Sequence, residues 1–135
     1  MLILGIDPGL AALGWGVIAV ERSRPQWVAH GALHTARISR TTKGRDLSQR
    51  IATLAALVEA LLDAQKPALA AMEEFRFYGR GVSSSLQLAN VTGMVREAAR
   101  ARSIPVVEYS AQSIKKAVAA SARADKGTVQ RAVQR

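Results

Sequence analysis

A strand that ends on a lone acid constrains this chain more than any other feature. Leu2-Ile3-Leu4-Gly5-Ile6 is an unbroken apolar or small run, followed by Asp7 and then Pro8-Gly9. That order predicts a buried strand that finishes on a carboxylate and breaks into a turn. A charge at the end of a water-excluding strand is costly unless something partners it. Two readings of Asp7 follow. Its side chain bonds the turn backbone just downstream, or it is a catalytic or metal-binding acid. This stretch by itself does not separate them.

Composition narrows the field. The 135 residues, with 49% apolar and 21% charged side chains, fit a single globular domain spanning 1–135. Aromatics are scarce and alanine abundant, so the core is expected to be built from small, closely packed side chains. There is no cysteine, which excludes disulfides, thiolate metal sites and a cysteine nucleophile. The apolar N-terminus is only a few residues long and contains Asp7, so neither a signal peptide nor a membrane span is expected, and the cytoplasm is the expected compartment. Net charge is +9 and the isoelectric point about 11.1. Such an excess points to a polyanionic partner, nucleic acid first; the bland alternative is solubility alone. No basic amphipathic helix suited to a membrane surface stands out.

Along the chain, Leu13 to Val20 predicts a second strand and Glu21 to Pro25 a polar turn. Trp27 to Thr35 alternates as a third strand, with Trp27, Ala29, Gly31 and Leu33 on one face and Val28, His30, Ala32 and His34 on the other. The short connections favour an antiparallel meander. The two histidines lie roughly 13 Å apart along that strand and cannot chelate one ion together; both are expected on the solvent face. Arg37, Arg40, Lys43, Arg45 and Arg50 form a basic loop running into a helix, either solvated or facing phosphate. Leu47, Ile51, Leu54, Leu57, Val58, Leu61 and Leu62 recur at helical spacing over 46–65, and Lys66-Pro67 stops the helix.

Ala68 to Glu74 then repeats the opening pattern, a short apolar run ending on acid. Reached through a long helix, this strand should run parallel to its neighbour by a right-handed crossover. If the neighbour is the first strand, Asp7 and Glu73 share one carboxyl edge, roughly 5 Å apart in backbone terms. The switch from antiparallel to parallel pairing places that edge where open α/β sheets bind ligands. Further on, Ser83 to Arg102 reads as a helix with a serine-rich cap. On it Ala89 and Gly93 lie one turn apart, suited to close packing on the chain's own sheet or on a partner subunit. Pro105 to Tyr109 reads as a fifth strand, Ser110 as the cap of a short helix to Ala120, and Asp125 to Arg135 as the start of a last helix.

Two strand-end carboxylates with no nearby His or Cys suit hard, oxygen-loving ions such as Mg²⁺ or Mn²⁺. In a basic protein the reaction that fits is phosphodiester hydrolysis, in which paired cations activate water and stabilise the leaving oxygen. Such sites usually draw on more than two acids.

Leu4-Gly5-Ile6-Asp7-Pro8-Gly9-Leu10 with Gly14-Trp15-Gly16-Val17-Ile18 closely resembles the opening of the RuvC family of Holliday-junction resolvases. So do Ala71-Met72-Glu73, Ser84-Ser85-Leu86-Gln87-Leu88 with Gly93, and Val106-Val107-Glu108-Tyr109. Ile114-Lys115-Lys116-Ala117-Val118 and Arg123-Ala124-Asp125-Lys126 with Val129-Gln130 follow in the same order, so the resemblance covers essentially the whole chain. It implies an α/β, ribonuclease-H-like fold: a mixed five-stranded sheet, antiparallel meander plus parallel strands, flanked by helices. It further implies a homodimer that binds four-way junction DNA and cuts two strands of like polarity with Mg²⁺, for which Mn²⁺ can substitute. The branch-migration complex RuvA-RuvB is an implied partner.

By motif match, Asp7 and Glu73 are the implied metal ligands and catalytic acids. Lys115 and Lys126 match basic residues that approach the DNA backbone. The family inserts an aromatic among the junction bases just after its glutamate, a role for which Phe75, Phe77 and Tyr78 compete, with Phe77 favoured. Core packing is the bland reading for Phe75, and a loop surface for Tyr78. Glu74 is a spare ligand or a solvated side chain.

The family's remaining acids lie one turn apart on a final helix, past the last residue of this sequence. The expectation is therefore a chain lacking its final catalytic helix, folding marginally, binding metal weakly and cleaving poorly. A rival reading is a catalytically incomplete junction- or DNA-binding module of the same fold. Another is a nucleotide-binding domain of the actin/sugar-kinase type, which needs a longer chain and a second phosphate loop.

Overall fold

Alternation along the first strand decides the layering. Leu4 and Ile6 are buried on one face, whereas Asp7 at the strand's end is exposed. The computed structural model describes residues 1–35, 43–76 and 81–119, with side chains in the first helix described from Asp46 onward. The elements run β1 (Leu2–Asp7), β2 (Ala12–Glu21), β3 (Arg24–His34), α1 (Lys43–Gln65), β4 (Leu69–Glu73), α2 (Val82–Arg100), β5 (Val106–Tyr109) and α3 (Ala111–Ala119). They form a mixed five-stranded sheet in the order β3-β2-β1-β4-β5. β1, β2 and β3 pair antiparallel, while β1–β4 and β4–β5 pair parallel. Among the described residues no helix is long and apolar enough to cross a membrane.

Among the described residues the core lies on one face of the sheet. Leu4 and Ile6 of β1, Leu13 and Val17 of β2 and Met72 of β4 pack with Leu54, Val58 and Leu62 of α1 and Val91, Val95 and Ala99 of α2. Leu54, Val58, Val91, Val95 and Ala99 are fully buried, which is what the helical spacing of these apolar positions requires. Arg102, just past α2, chelates Asp63 of α1 through Nε at 2.6 Å and Nη2 at 2.8 Å, tying the C-terminal ends of the two helices together.

Several local expectations need correction. The third strand does not hold Trp27 on the face of Ala29, Gly31 and Leu33. A bulge between Val17 and Ile18 pairs Ile18 with Trp27 and Val17 with Ala29, leaving Val28 as the extra residue. One added residue flips the facing of everything beyond it. Trp27 therefore stands on the outer face, 71% exposed, its indole N–H donating to His30 Nδ1 at 3.2 Å. His30 and His34 are exposed, as expected.

The serine-rich start of α2 does not supply a side-chain cap. The N-cap is Gly81, in the left-handed region at φ 73°, with its carbonyl accepting from Ser85 N–H at 3.0 Å. Ser110 does cap α3, accepting from Ser113 N–H at 3.1 Å. Arg50 is not part of a phosphate-facing rim. It is half-buried, and its Nε donates to Thr35 Oγ1 at 3.0 Å. Arg37 and Arg40 of that basic loop lie outside the described residues, as do Phe77, Tyr78, Asp125 and Lys126.

Candidate active site

The face of the sheet turned away from α1 and α2 carries the acids. Parallel pairing of β1 with β4 sets Leu4 beside Ala70, Gly5 beside Ala71 and Ile6 beside Met72. One step further brings Asp7 beside Glu73 at the carboxyl ends of both strands. Antiparallel pairing sets Gly14 of β2 against Asp7, and Ala32 of β3 against Gly14. On the other side Tyr109 of β5 pairs with Glu73. Since paired residues share a face, Ala32, Gly14, Asp7, Glu73 and Tyr109 form one row across the sheet. The row behind it reads His30, Gly16, Gly5, Ala71 and Val107.

This second row explains why the site is open. Its centre is glycine, glycine and alanine, so almost nothing projects from the sheet there. An open cleft of about 570 Å³ lies over it, bordered by Asp7, Glu73, Gly14, Gly16, Ala71 and Tyr109, with Ile114 of α3 at one side. A smaller hollow of about 120 Å³ also has both acids on its border, together with Phe75, Leu88 and Thr92. Gly14 keeps the flank of Asp7 clear: a Cβ there would lie 3.5 Å from the Asp7 Cβ and 3.9 Å from its Oδ2.

The turn after Asp7 is held by other groups than the Asp7 side chain. Thr35 Oγ1 donates to the Leu10 carbonyl at 2.5 Å, and Thr35 N–H to the Ala11 carbonyl at 3.2 Å. Gly9 is required at the bend, because a Cβ there would come within 2.4 Å of the Ala12 carbonyl oxygen. Asp7 makes no hydrogen bond or ion pair with a described residue, so the turn-forming reading is not realised. Glu73 is likewise exposed and unpaired among the described residues. Two unpaired carboxylates side by side on one face form a hard, anionic donor set that fits a divalent cation. No group of three or more His, Cys, Asp or Glu positioned to hold a metal is present among the described residues.

The neighbouring side chains sort differently. Glu74 is engaged by Arg76, whose Nε and Nη2 donate to Oε2 at 2.9 and 2.8 Å in an exposed ion pair. Phe75 is half-buried and borders the smaller hollow together with Leu88 and Thr92. Lys115 is half-buried on α3, one residue beyond Ile114 at the cleft. Gly93 on α2 is exposed, with no atom of a described residue within 4 Å of where its Cβ would stand, so it does not serve packing on the described sheet. Residue patterns alone missed Tyr109 as a site residue. Its signals are its place at a strand end and in the family-like Val106–Tyr109 segment, and it takes the β4–β5 register to bring it beside Glu73.

Comparison with known proteins agrees with this architecture. The family model described as crossover junction endodeoxyribonuclease RuvC matches residues 3–135. The chain is similar to the RuvC crossover junction endodeoxyribonuclease of Pseudothermotoga lettingae, with 34% identity over 134 residues that cover 99% of this chain and 78% of that protein. It is similar to the Synechococcus RuvC at 39% identity, covering 100% of this chain and 83% of that protein. It is also similar to the solved structure of Thermus thermophilus RuvC in complex with a Holliday junction substrate, with a TM-score of 0.82 and 29% identity over 99% of this chain and 78% of that one.

Proposed function

The chain belongs to the RuvC family of crossover junction endodeoxyribonucleases, and on that premise we propose that Asp7 and Glu73 are the acids that hold its catalytic cation. The activity is resolution of four-way (Holliday) junctions by metal-dependent phosphodiester hydrolysis, in recombination and repair. The observation that carries the residue assignment is the shared row: two exposed carboxylates, one strand apart, with no competing partner among the described residues.

Mg²⁺ is the favoured ion, with Mn²⁺ able to substitute, because both are hard cations suited to carboxylate oxygen. A bound divalent cation supplies Lewis-acid activation of water and neutralises charge on the departing oxygen. The chain's own part is to hold it. Asp7 and Glu73 direct their oxygens from adjacent strands whose backbones are locked by the ladder. The floor of Gly5, Gly16 and Ala71 lets a DNA strand approach the sheet closely. Lys115 and Lys126 offer positive charge to the DNA backbone, and Phe77 inserts among junction bases. Two carboxylates offset only half the charge of a two-ion site. Further acids from a helix like the one the resemblance implies would complete it.

We assign the protein to a homodimer. The exposed stripe of α2 that holds Val82 (56% exposed) and Leu86 (60% exposed) supports this, together with the lack of any described residue over Gly93. The chain would act in the cytoplasm beside a RuvA-RuvB branch-migration complex.

The test is cleavage of a synthetic four-way junction in Mg²⁺ or Mn²⁺, with plain duplex as control. Nicking of the junction at symmetric sites supports the reading, more strongly still if appending an acidic C-terminal helix raises the rate. Equal binding of duplex and junction, with no cleavage in either form of the chain, contradicts it.

A further inference from the structure

We infer that Tyr109 is a substrate-contacting residue of this site, its phenol hydroxyl donating a hydrogen bond to a phosphate oxygen of the DNA strand being cut. The inference rests on the nuclease reading above and adds a residue to it.

Tyr109 is the register partner of Glu73 and completes the row that contains Asp7. It borders the same cleft as both acids and is 46% exposed. Its main chain is fixed from both sides. The Tyr109 carbonyl accepts from Glu74 N–H at 2.8 Å, and the next residue, Ser110, caps α3. A large ring is thus held at the rim of the site by backbone bonds while its polar end makes no hydrogen bond to a described residue. Tyrosine in such a place presents an apolar body and an unused donor, a combination that recognises ligands.

The choice of donor also fits the neighbours. A lysine or arginine beside Glu73 would pair with its carboxylate and compete with the cation for it. A neutral hydroxyl can donate to a phosphate oxygen and leave Glu73 free. Strand spacing puts Tyr109 about 4.8 Å beyond Glu73 and about twice that from Asp7. A phosphate held at the acids is therefore within reach of a side chain as long as tyrosine.

The experiment is single-turnover cleavage of a four-way junction by the full chain and by Tyr109→Phe and Tyr109→Leu, alongside junction affinity in EDTA and the unfolding midpoint. The expected result is a cleavage rate about ten- to a hundredfold lower in Tyr109→Phe. Affinity stays within about twofold and the midpoint is unchanged, since the contact strengthens as charge builds on the phosphate. Tyr109→Leu should fall no further than Tyr109→Phe. A phenylalanine variant that cuts at the wild-type rate overturns the inference while leaving the nuclease reading intact, whatever the leucine variant does. No junction cleavage by the chain, either alone or with an acidic C-terminal helix appended, removes both.

Discussion

Asp7 and Glu73 occupy one row of the sheet, a single strand apart, with their side chains exposed on the same face. Like charges facing each other across paired strands repel, costing roughly 0.2–1 kcal/mol when no cation lies between them. Neutralising one should relieve this. Asp7→Asn is expected to raise the unfolding midpoint in EDTA and to abolish the stabilisation that Mg²⁺ gives the wild type. Thermal denaturation with and without the ion checks both. A variant destabilised in EDTA and still stabilised by Mg²⁺ would mean the acids do not face each other.

Gly14 guards the access to Asp7 from β2. Since a Cβ there would meet Asp7 at 3.5 Å, ordinary contact distance, Gly14→Ala should cleave junctions within a few-fold of wild type. Gly14→Val favours the strand conformation but adds methyl groups beside the carboxylate, and it should lower the rate by about tenfold or more with the fold retained. Circular dichroism and cleavage kinetics on the same samples separate the two effects.

Gly31 makes room for the Trp15 indole, whose nearest atoms would lie 2.9 to 3.0 Å from an added Cβ. Gly31→Ala should therefore destabilise by about 1–3 kcal/mol, the range for overpacking. Pairing it with Trp15→Leu should recover part of that loss, a non-additivity readable in a urea double-mutant cycle. Strict additivity would place the indole elsewhere.

The Asp63–Arg102 pair predicts a pH dependence. The hydrogen bond from Arg102 holds the Asp63 carboxyl below its ordinary value. A depressed folded-state value gives stability that is present above the unfolded carboxylate range, near 3.9, and is lost as pH falls through the lower, folded value. Asp63→Asn should unfold more easily than wild type at neutral pH, and the gap should shrink as pH falls below the ordinary carboxylate range. A gap that persists in acid would show that packing, not charge, joins the helices there.

Much of this was legible in the residues because the apolar runs and the acids that end them are local signals. Leu2 to Asp7 and Leu69 to Glu73 carry their own strand boundaries, and the long helix between them forces parallel pairing. Trp27 was misplaced because a bulge leaves no mark in a short alternating run, yet it reverses every residue past it. Arg50 read as a loop cation because its partner Thr35 is distant in sequence. Gly81 as the cap of α2 was hidden behind three serines that do not cap. Nothing local ties Tyr109 to Glu73, since only the β4–β5 register makes the two neighbours. Phe77 and Lys126 lie outside the described residues, and their assignment still rests on the motif match.

The most direct measurement is a calorimetric Mn²⁺ titration of the wild type, Asp7→Asn, Glu73→Gln and the double variant. If both carboxylates grip the same ion, each single substitution removes nearly all of the binding and the second adds little further loss. Wild-type affinity in both single variants, or losses that simply add, would contradict a shared cation site.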